Sequence, residues 1–232
     1  MPRQSCCPMK LLLISNFSDI PHEHYVLNLL FCEGLRYFHL RKRDYTTHQM
    51  ANYIEQIAEP FRRYVVLHSH FELIDEFGLM GAHFTKKFGY DDYLRSRKLP
   101  PDSPPAFNHL SFSLHSIPEI KRMPALYNYL FLSPVFDSIS NQGYNSKFRT
   151  QELKSFLTQK TNRPEVIALG GITDEVVNNV FDAGFDGMAL LGHIWTTFER
   201  TQDIVQAVKR FKTINHLIRS REEATALPSA AA

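Results

Sequence analysis

Cysteine is scarce. Cys6, Cys7 and Cys32 are too few for a disulfide framework, so a reducing, cytoplasmic setting is expected. Adjacent Cys6 and Cys7 have no partner ligands at a metal-binding spacing. Excess charge is missing too: the formal net charge is +2, with Lys and Arg scattered. That argues against a nucleic-acid partner and against a polybasic membrane surface. No apolar run is long enough to span a bilayer, and the first one, "LLLIS" (11–15), is too short and too strand-like for a secretion signal. With 44% apolar residues in 232, the composition suits a soluble globular chain with a sizeable core.

What is present is a rhythm of short apolar runs, each followed by a helical pattern. The runs are 11–15, "RYFHLR" (36–41), "YVVLHS" (64–69), "GAHFT" (81–85), "HLSFSLHS" (109–116), "YNYLFLSPVF" (127–136), "EVIALGG" (165–171) and "GMALLG" (187–192). Between them, Tyr25, Val26, Leu29 and Leu30 recur at helical spacing, as do Met50, Tyr53, Ile54 and Ile57 after a cap at Thr46 or Thr47. Further helices are predicted near 72–77, 90–98, 117–123, 149–160, 173–184 and 196–217. The runs do not alternate with polar residues, as expected of strands covered on both faces. Eight such units predict a single-domain α/β fold, a parallel (β/α)8 TIM barrel over 10–217. Residues 1–9 are expected to be an N-terminal extension and 218–232 a flexible tail. The Pro-rich stretch 98–109 falls between units and reads as a loop.

In such a barrel the chemistry sits at the carboxyl ends of the strands. The polar residues there are Asn16, His39 with Arg41 and Arg43, His68 and His70, His83, His115, Asp137, Gly170-Gly171 and Gly192-His193. Strands seven and eight end in glycine with a helix start close behind. Glycine permits close approach to the main chain, and free amides at a helix start attract anions. Gly170, Gly171, Ile172, Leu191, Gly192 and His193 are therefore predicted to hold a phosphate. Side-chain alternation places His39, Arg41 and Arg43 on one side, facing the mouth. His83 reads as a hydrogen-bonded core histidine. His39 with His68 and His70 could in principle suit zinc, but no supporting carboxylate or cysteine is spaced for it, so no metal is expected. Asp137 reads as a loop cap, or as an acid/base if it turns inward.

In order along the chain, "HLRKR" (39–43), "GLMGAHFT" (78–85), "SLHSIPE" (113–119), "SPVFDS" (133–138), "VIALGGI" (166–172) and "GMALLGHI" (187–194) resemble the motifs of the thiamine phosphate synthase/TenI family. The resemblance runs from about Lys10 to about Phe211. It implies action on a phosphorylated thiazole or pyrimidine. Two activities occur in the family. The synthase joins hydroxymethylpyrimidine diphosphate to a thiazole phosphate with release of diphosphate, and needs Mg²⁺. TenI-type proteins tautomerise a thiazole carboxylate phosphate by proton transfer, without metal.

Three departures from the synthase pattern stand out. His39 replaces its glutamine, as in TenI-type proteins. His68 and Ser69 replace its Asn-Asp, of which the Asp helps hold Mg²⁺. Ser140-Asn141 replace its Thr-Lys, in a loop that also offers Ser138 and could hinge at Gly143. Pro134 stands where some TenI-type proteins carry a histidine. The departures from the synthase pattern place the tautomerase first; with Pro134 that histidine shuttle is absent and its work falls to another residue, His39 or His68 as proton carrier, with Arg41 against a second anionic group and no cofactor. The synthase with Mg²⁺ is the alternative, and a non-catalytic thiamine phosphate binder the second. A phosphosugar isomerase would need a carboxylate base, with Asp137 and Asp174 the near candidates. A homodimer is compatible with the size of the barrel.

Overall fold

Each apolar run becomes a strand. The computed structural model describes residues 8–101, 103, 106–137, 148–159 and 163–226. Its strands are β1 (Lys10–Ile14), β2 (Phe38–Leu40), β3 (Val65–Leu67), β4 (Gly81–Phe84), β5 (Leu110–Leu114), β6 (Tyr129–Leu132), β7 (Glu165–Leu169) and β8 (Gly187–Leu190). They pair in chain order, all parallel, and β8 returns to β1, so the sheet closes into a barrel. The helices are α1 (Glu23–Cys32), α2 (Thr47–Glu55), α3 (Glu59–Arg62), α4 (Leu73–Phe77), α5 (Tyr90–Ser96), α6 (Ile117–Ile120), α7 (Thr150–Leu157), α8 (Val177–Ala183), α9 (Gly192–Thr201) and α10 (Ile204–Ala226). No helix among the described residues is long and apolar enough to cross a membrane.

Strand alternation divides the core in two. Leu13, Leu130, Leu132, Ala168, Met188 and Leu190 point outward and pack under the helices. Leu12, Ile14, Tyr129, Phe131, Ile167 and Ala189 point inward and fill the barrel. Burial on both faces is why the runs carry no apolar/polar alternation. The inner layer is not wholly apolar, however: His39, His83 and Ser111 are buried within it. Parallel register sets His39 beside Ile14 and Val66, His83 beside Ser111, and Ser111 beside Tyr129.

Local chemistry explains several element ends. Thr46, not Thr47, caps α2: its Oγ1 accepts from Gln49 N at 3.3 Å, while Gln49 Oε1 accepts from Thr46 N at 2.9 Å. This reciprocal box stabilises a helix start by about 1 kcal/mol. Two predicted boundaries change. The single last helix predicted over 196–217 is two, broken at Gln202, whose φ of 54° is left-handed. The second of them runs past Leu217 to Ala226, so the tail expected from residue 218 is helical through that point. Contacts with the barrel hold it there: Glu222 Oε1 accepts from Met9 N at 2.5 Å, and Arg221 Nη2 pairs with Asp182 Oδ1 at 2.8 Å.

Candidate functional site

The turns after β7 and β8 are neighbours, because Leu169 and Ala189 share a register position. Gly170 (φ +97°) and Gly171 (φ +66°) both adopt left-handed backbone. What approaches them closely on one side is the protein itself. A Cβ on Gly170 would lie 2.9 Å from Pro134 Cα, and one on Gly171 would lie 2.4 Å from Asp137 O. Val135 N and Phe136 N donate to Leu169 O (2.9 Å) and Gly170 O (3.2 Å), stitching the strand-six turn to the glycine turn. The donor side stays open. Among the described residues, no protein acceptor takes the N–H of Gly171 or Ile172. Gly192 and His193 open α9 and have no intrahelical acceptor. Leu191 is the N-cap of that helix. Trp195 Nε1 fixes the helix by donating to Ile14 O at 2.7 Å. The His193 ring is buried, and its Nε2, 4.0 Å from Asp174 Oδ1, makes no hydrogen bond among the described residues.

Replacing Gly171 by Ala is expected to destabilise the protein by about 1–3 kcal/mol, since a non-glycine residue is strained at that φ. This should lower Tm by roughly 2–10 °C in a thermal melt. The clash with Asp137 O should also shift the amides and weaken anion binding in the same preparation. An unchanged melt would show that the turn has room to give.

The end of β2 does not keep the predicted alternation. Strand pairing stops at Leu40, and His39, Arg41 and Arg43 part company. His39 is fully buried in the barrel, below the mouth rather than facing it. Arg41 is half-buried and Arg43 exposed, with their guanidinium carbons 4.7 and 4.9 Å from the Phe17 ring centre. Arg41 N donates to Ser15 Oγ at 2.8 Å. Among the described residues neither arginine has a carboxylate within salt-bridge distance. Burial, then Arg43, lowers the pKa of Arg41, so an anion brought to this spot is favoured. Lys42, between them, turns the other way into the helix layer. It is buried, and its Nζ lies 2.6 Å from Glu23 Oε2 and 2.7 Å from Ser18 O.

A hydrogen-bonded chain runs down the barrel from the mouth. His68, partly exposed, places Nε2 3.0 Å from His39 Nδ1, and His39 Nε2 lies 2.5 Å from Tyr129 Oη. His83 stands beside them with Nδ1 2.8 Å from Ser111 Oγ and Nε2 2.7 Å from Ser113 Oγ, the hydrogen-bonded core position predicted for it. Burial lowers the pKa of all three rings, that of His83 to about 3. Burial also raises that of Tyr129, which keeps its proton. His70 is elsewhere: its Nε2 lies 2.8 Å from Tyr45 O and its Nδ1 3.2 Å from Thr47 Oγ1. It takes no part in a grouping with His39 and His68.

His115 is exposed at the rim, with Nδ1 2.9 Å from Ser133 O. Asp137 is exposed. Ser138, Ser140, Asn141 and Gly143 lie outside the described residues, as do Cys6 and Cys7.

Magnesium requires hard oxygen ligands in octahedral array. Among the described residues, the one set of three or more His, Cys, Asp or Glu side chains within mutual reach is His39, His68 and His83, which is all imidazole. These residues do not fit a Mg²⁺ site. Sequence reasoning missed Tyr129, Ser111, Ser113, Phe17 and the Glu23–Lys42 pair. Inward parity of β5 and β6 could have revealed the first three.

A family model described as thiamine monophosphate synthase matches residues 11–194. The thiamine-phosphate synthase of Lysinibacillus sphaericus (strain C3-41) is 24% identical over 223 residues, which is 91% of this chain and 98% of its own. That of Anoxybacillus flavithermus (strain DSM 21510 / WK1) is 27% identical over 108 residues, 45% of this chain and 49% of its own. The crystal structure of a thiamine phosphate pyrophosphorylase from Bacteroides thetaiotaomicron superposes with a TM-score of 0.71 at 29% identity, covering 91% of this chain and 98% of that one.

Proposed function

The chain belongs to the thiamine monophosphate synthase family, and from that premise we propose that it is a cytoplasmic transferase of thiamine assembly. Its substrates would be a thiazole phosphate and a hydroxymethylpyrimidine diphosphate. The sequence places tautomerisation first; the names of its relatives favour the transferase. The observation that carries the reading is the set of amides at Gly171, Ile172, Gly192 and His193 that meet no protein acceptor among the described residues, at the same end of the barrel as two arginines that lack carboxylate partners among those residues. The amides would hold the thiazole phosphate. Arg41 and Arg43 would face the diphosphate. As the methylene C–O bond breaks, its electron pair leaves with the diphosphate, and the thiazole nitrogen forms the new C–N bond. Charge grows on the leaving group, so a fixed guanidinium there stabilises the transition state more than the ground state. Mg²⁺ supplies that same charge in the family's synthases, but the described residues do not fit it.

Incubation of the full chain with both substrates is expected to yield thiamine phosphate and diphosphate, separable by chromatography. Arg41→Ala is expected to lower kcat by about 10²–10³, the usual loss on removing one such donor. Absence of product under single-turnover conditions, with and without Mg²⁺, would end the transferase reading.

The chain His68–His39–Tyr129 specifically favours a second reading, the TenI-like tautomerase. A neutral His68 at the mouth can take a proton from one position of a thiazole carboxylate phosphate while its Nε2–H passes to His39, and the reverse relay returns a proton to the second position of the substrate. No metal is needed. Tautomer interconversion followed by NMR, with no pyrimidine present, tests it directly. Saturable binding of thiamine phosphate without either turnover would leave a non-catalytic binder. Asp137 and Asp174, both exposed, offer little as the base of a phosphosugar isomerase.

A further inference from the structure

We propose that His39, His68 and His83 form a three-imidazole site for a transition-metal ion of the zinc type, with a fourth position open toward the barrel mouth. One ring nitrogen from each residue can be chosen so that all lie within 4.8 Å of one another. His39 Nδ1 and His68 Nε2, at 3.0 Å, face each other directly. Two nitrogens bound tetrahedrally to zinc at its usual bond length stand about 3.3 Å apart. An ion can therefore take the place of the single proton these two rings share with a shift of a few tenths of an ångström. The His68 and His83 rings stack at 4.2 Å. One of them must turn to aim its lone pair at the ion, and His68 is the better placed to do so: it is partly exposed, and among the described residues the one hydrogen bond of its ring is to His39.

The supports expected around a metal-binding histidine are present for the two buried rings. His39 Nε2 is held by Tyr129 Oη. His83 meets Ser111 Oγ through Nδ1 and Ser113 Oγ through Nε2; one of these hydroxyls must yield its nitrogen to the ion, and the other then holds the ring. Such partners fix the tautomer and aim the coordinating nitrogen. Burial keeps the rings neutral, the form that binds metal. All donors are nitrogen, which suits zinc and disfavours magnesium and calcium. Arg41 acts electrostatically on both His68 and His83. It opposes a bare dication and favours an anionic fourth ligand, such as hydroxide or a substrate carboxylate or phosphate, which would touch ion and guanidinium together.

The test uses the full chain, stripped with a chelator and dialysed, with Zn²⁺ or Co²⁺ alone as probe and no substrate. Zinc is expected to bind at one ion per chain and raise Tm. Co²⁺ should develop the visible absorption of a four-coordinate site and lose it when Zn²⁺ is added. His68→Ala, at the partly exposed position, should abolish both signals while keeping the far-UV spectrum of the folded chain. Tyr129→Phe should weaken binding about 10–100-fold, as removal of an outer-shell partner does. Stoichiometric binding that survives His68→Ala and His83→Gln would place the ion on other histidines and overturn the proposal. So would the absence of a Co²⁺ spectrum, or displacement of Zn²⁺ by millimolar Mg²⁺. Because no substrate enters, failure here leaves the proposed reaction untouched, and failure of the reaction leaves this site standing.

Discussion

Acidification from pH 7 to about 4.5 should unfold the metal-free protein cooperatively, with the loss beginning just below pH 6.5, the unperturbed histidine pKa. The cause is the row of neutral rings inside the barrel. His39, His68 and His83 all have folded-state pKa values lowered by burial, His83 to about 3. His109, at the opposite end, is lowered to about 4 by burial and then by Lys10. A lowered folded-state value means that the unfolded chain binds the extra protons. The stabilisation is thus present above about pH 6.5 and is lost as pH falls toward the folded values. Each such ring contributes a slope of about 1.4 kcal/mol per pH unit. His83 alone removes roughly 2–3 kcal/mol by pH 4.5, and the other rings act in the same direction against a whole stability of about 5–15 kcal/mol typical of a domain. Urea unfolding at pH 7, 6 and 5 measures the slope. In His83→Gln, whose amide can still meet a serine hydroxyl, the slope should fall by about 1.4 kcal/mol per pH unit. A stability that is flat between pH 7 and 5 would contradict the neutral, buried state of these rings.

Lys42→Ala should destabilise the protein by about 3–5 kcal/mol, because it strands the buried Glu23 carboxylate without its partner. The pair is nearly inaccessible at both ends, with side-chain exposures of 1% and 3%. Burial pushes the Glu23 carboxyl up, and Lys42 is the main group drawing it back down. The same ammonium donates to Ser18 O and lies 5.4 Å from the Tyr53 ring centre. The pair locks the start of α1 to the segment after β2, and so sets where Arg41 emerges. The double change Glu23→Leu with Lys42→Met should be less damaging than Lys42→Ala, since buried pairs are often replaced by apolar groups at little loss. A double-mutant cycle in urea measures this. A cost under about 1 kcal/mol for Lys42→Ala, the range of exposed pairs, would show that water reaches Glu23.

The barrel was legible in the sequence because its signal is local: eight apolar runs, each bounded by turns, and covered on both faces. The α2 cap was legible to within one residue, Thr46 or Thr47, for the same reason. The end of β2 misled. Alternation predicts that His39, Arg41 and Arg43 share a side, but strand geometry stops at Leu40, and beyond it parity has no meaning. Glu23 and Lys42 meet through a helix and a strand end whose relative placement no spacing encodes. Tyr129 was hidden differently, as one aromatic in an apolar run whose partner, His39, sits four strands away in chain order. The last helix outran its prediction because polar residues past Leu217 look like a frayed tail until Asp182 and the Met9 amide appear as their partners.

That last contact, Glu222 to the Met9 amide, brings the two ends of the described chain side by side beneath β1. The base of the barrel is opposite the mouth, where the glycine turns, Arg41 and His68 stand. Covalent joining of these ends and reopening of the chain in an outer loop would preserve every strand pairing. A label attached beside Met9 or Glu222 would leave the entrance to the barrel clear.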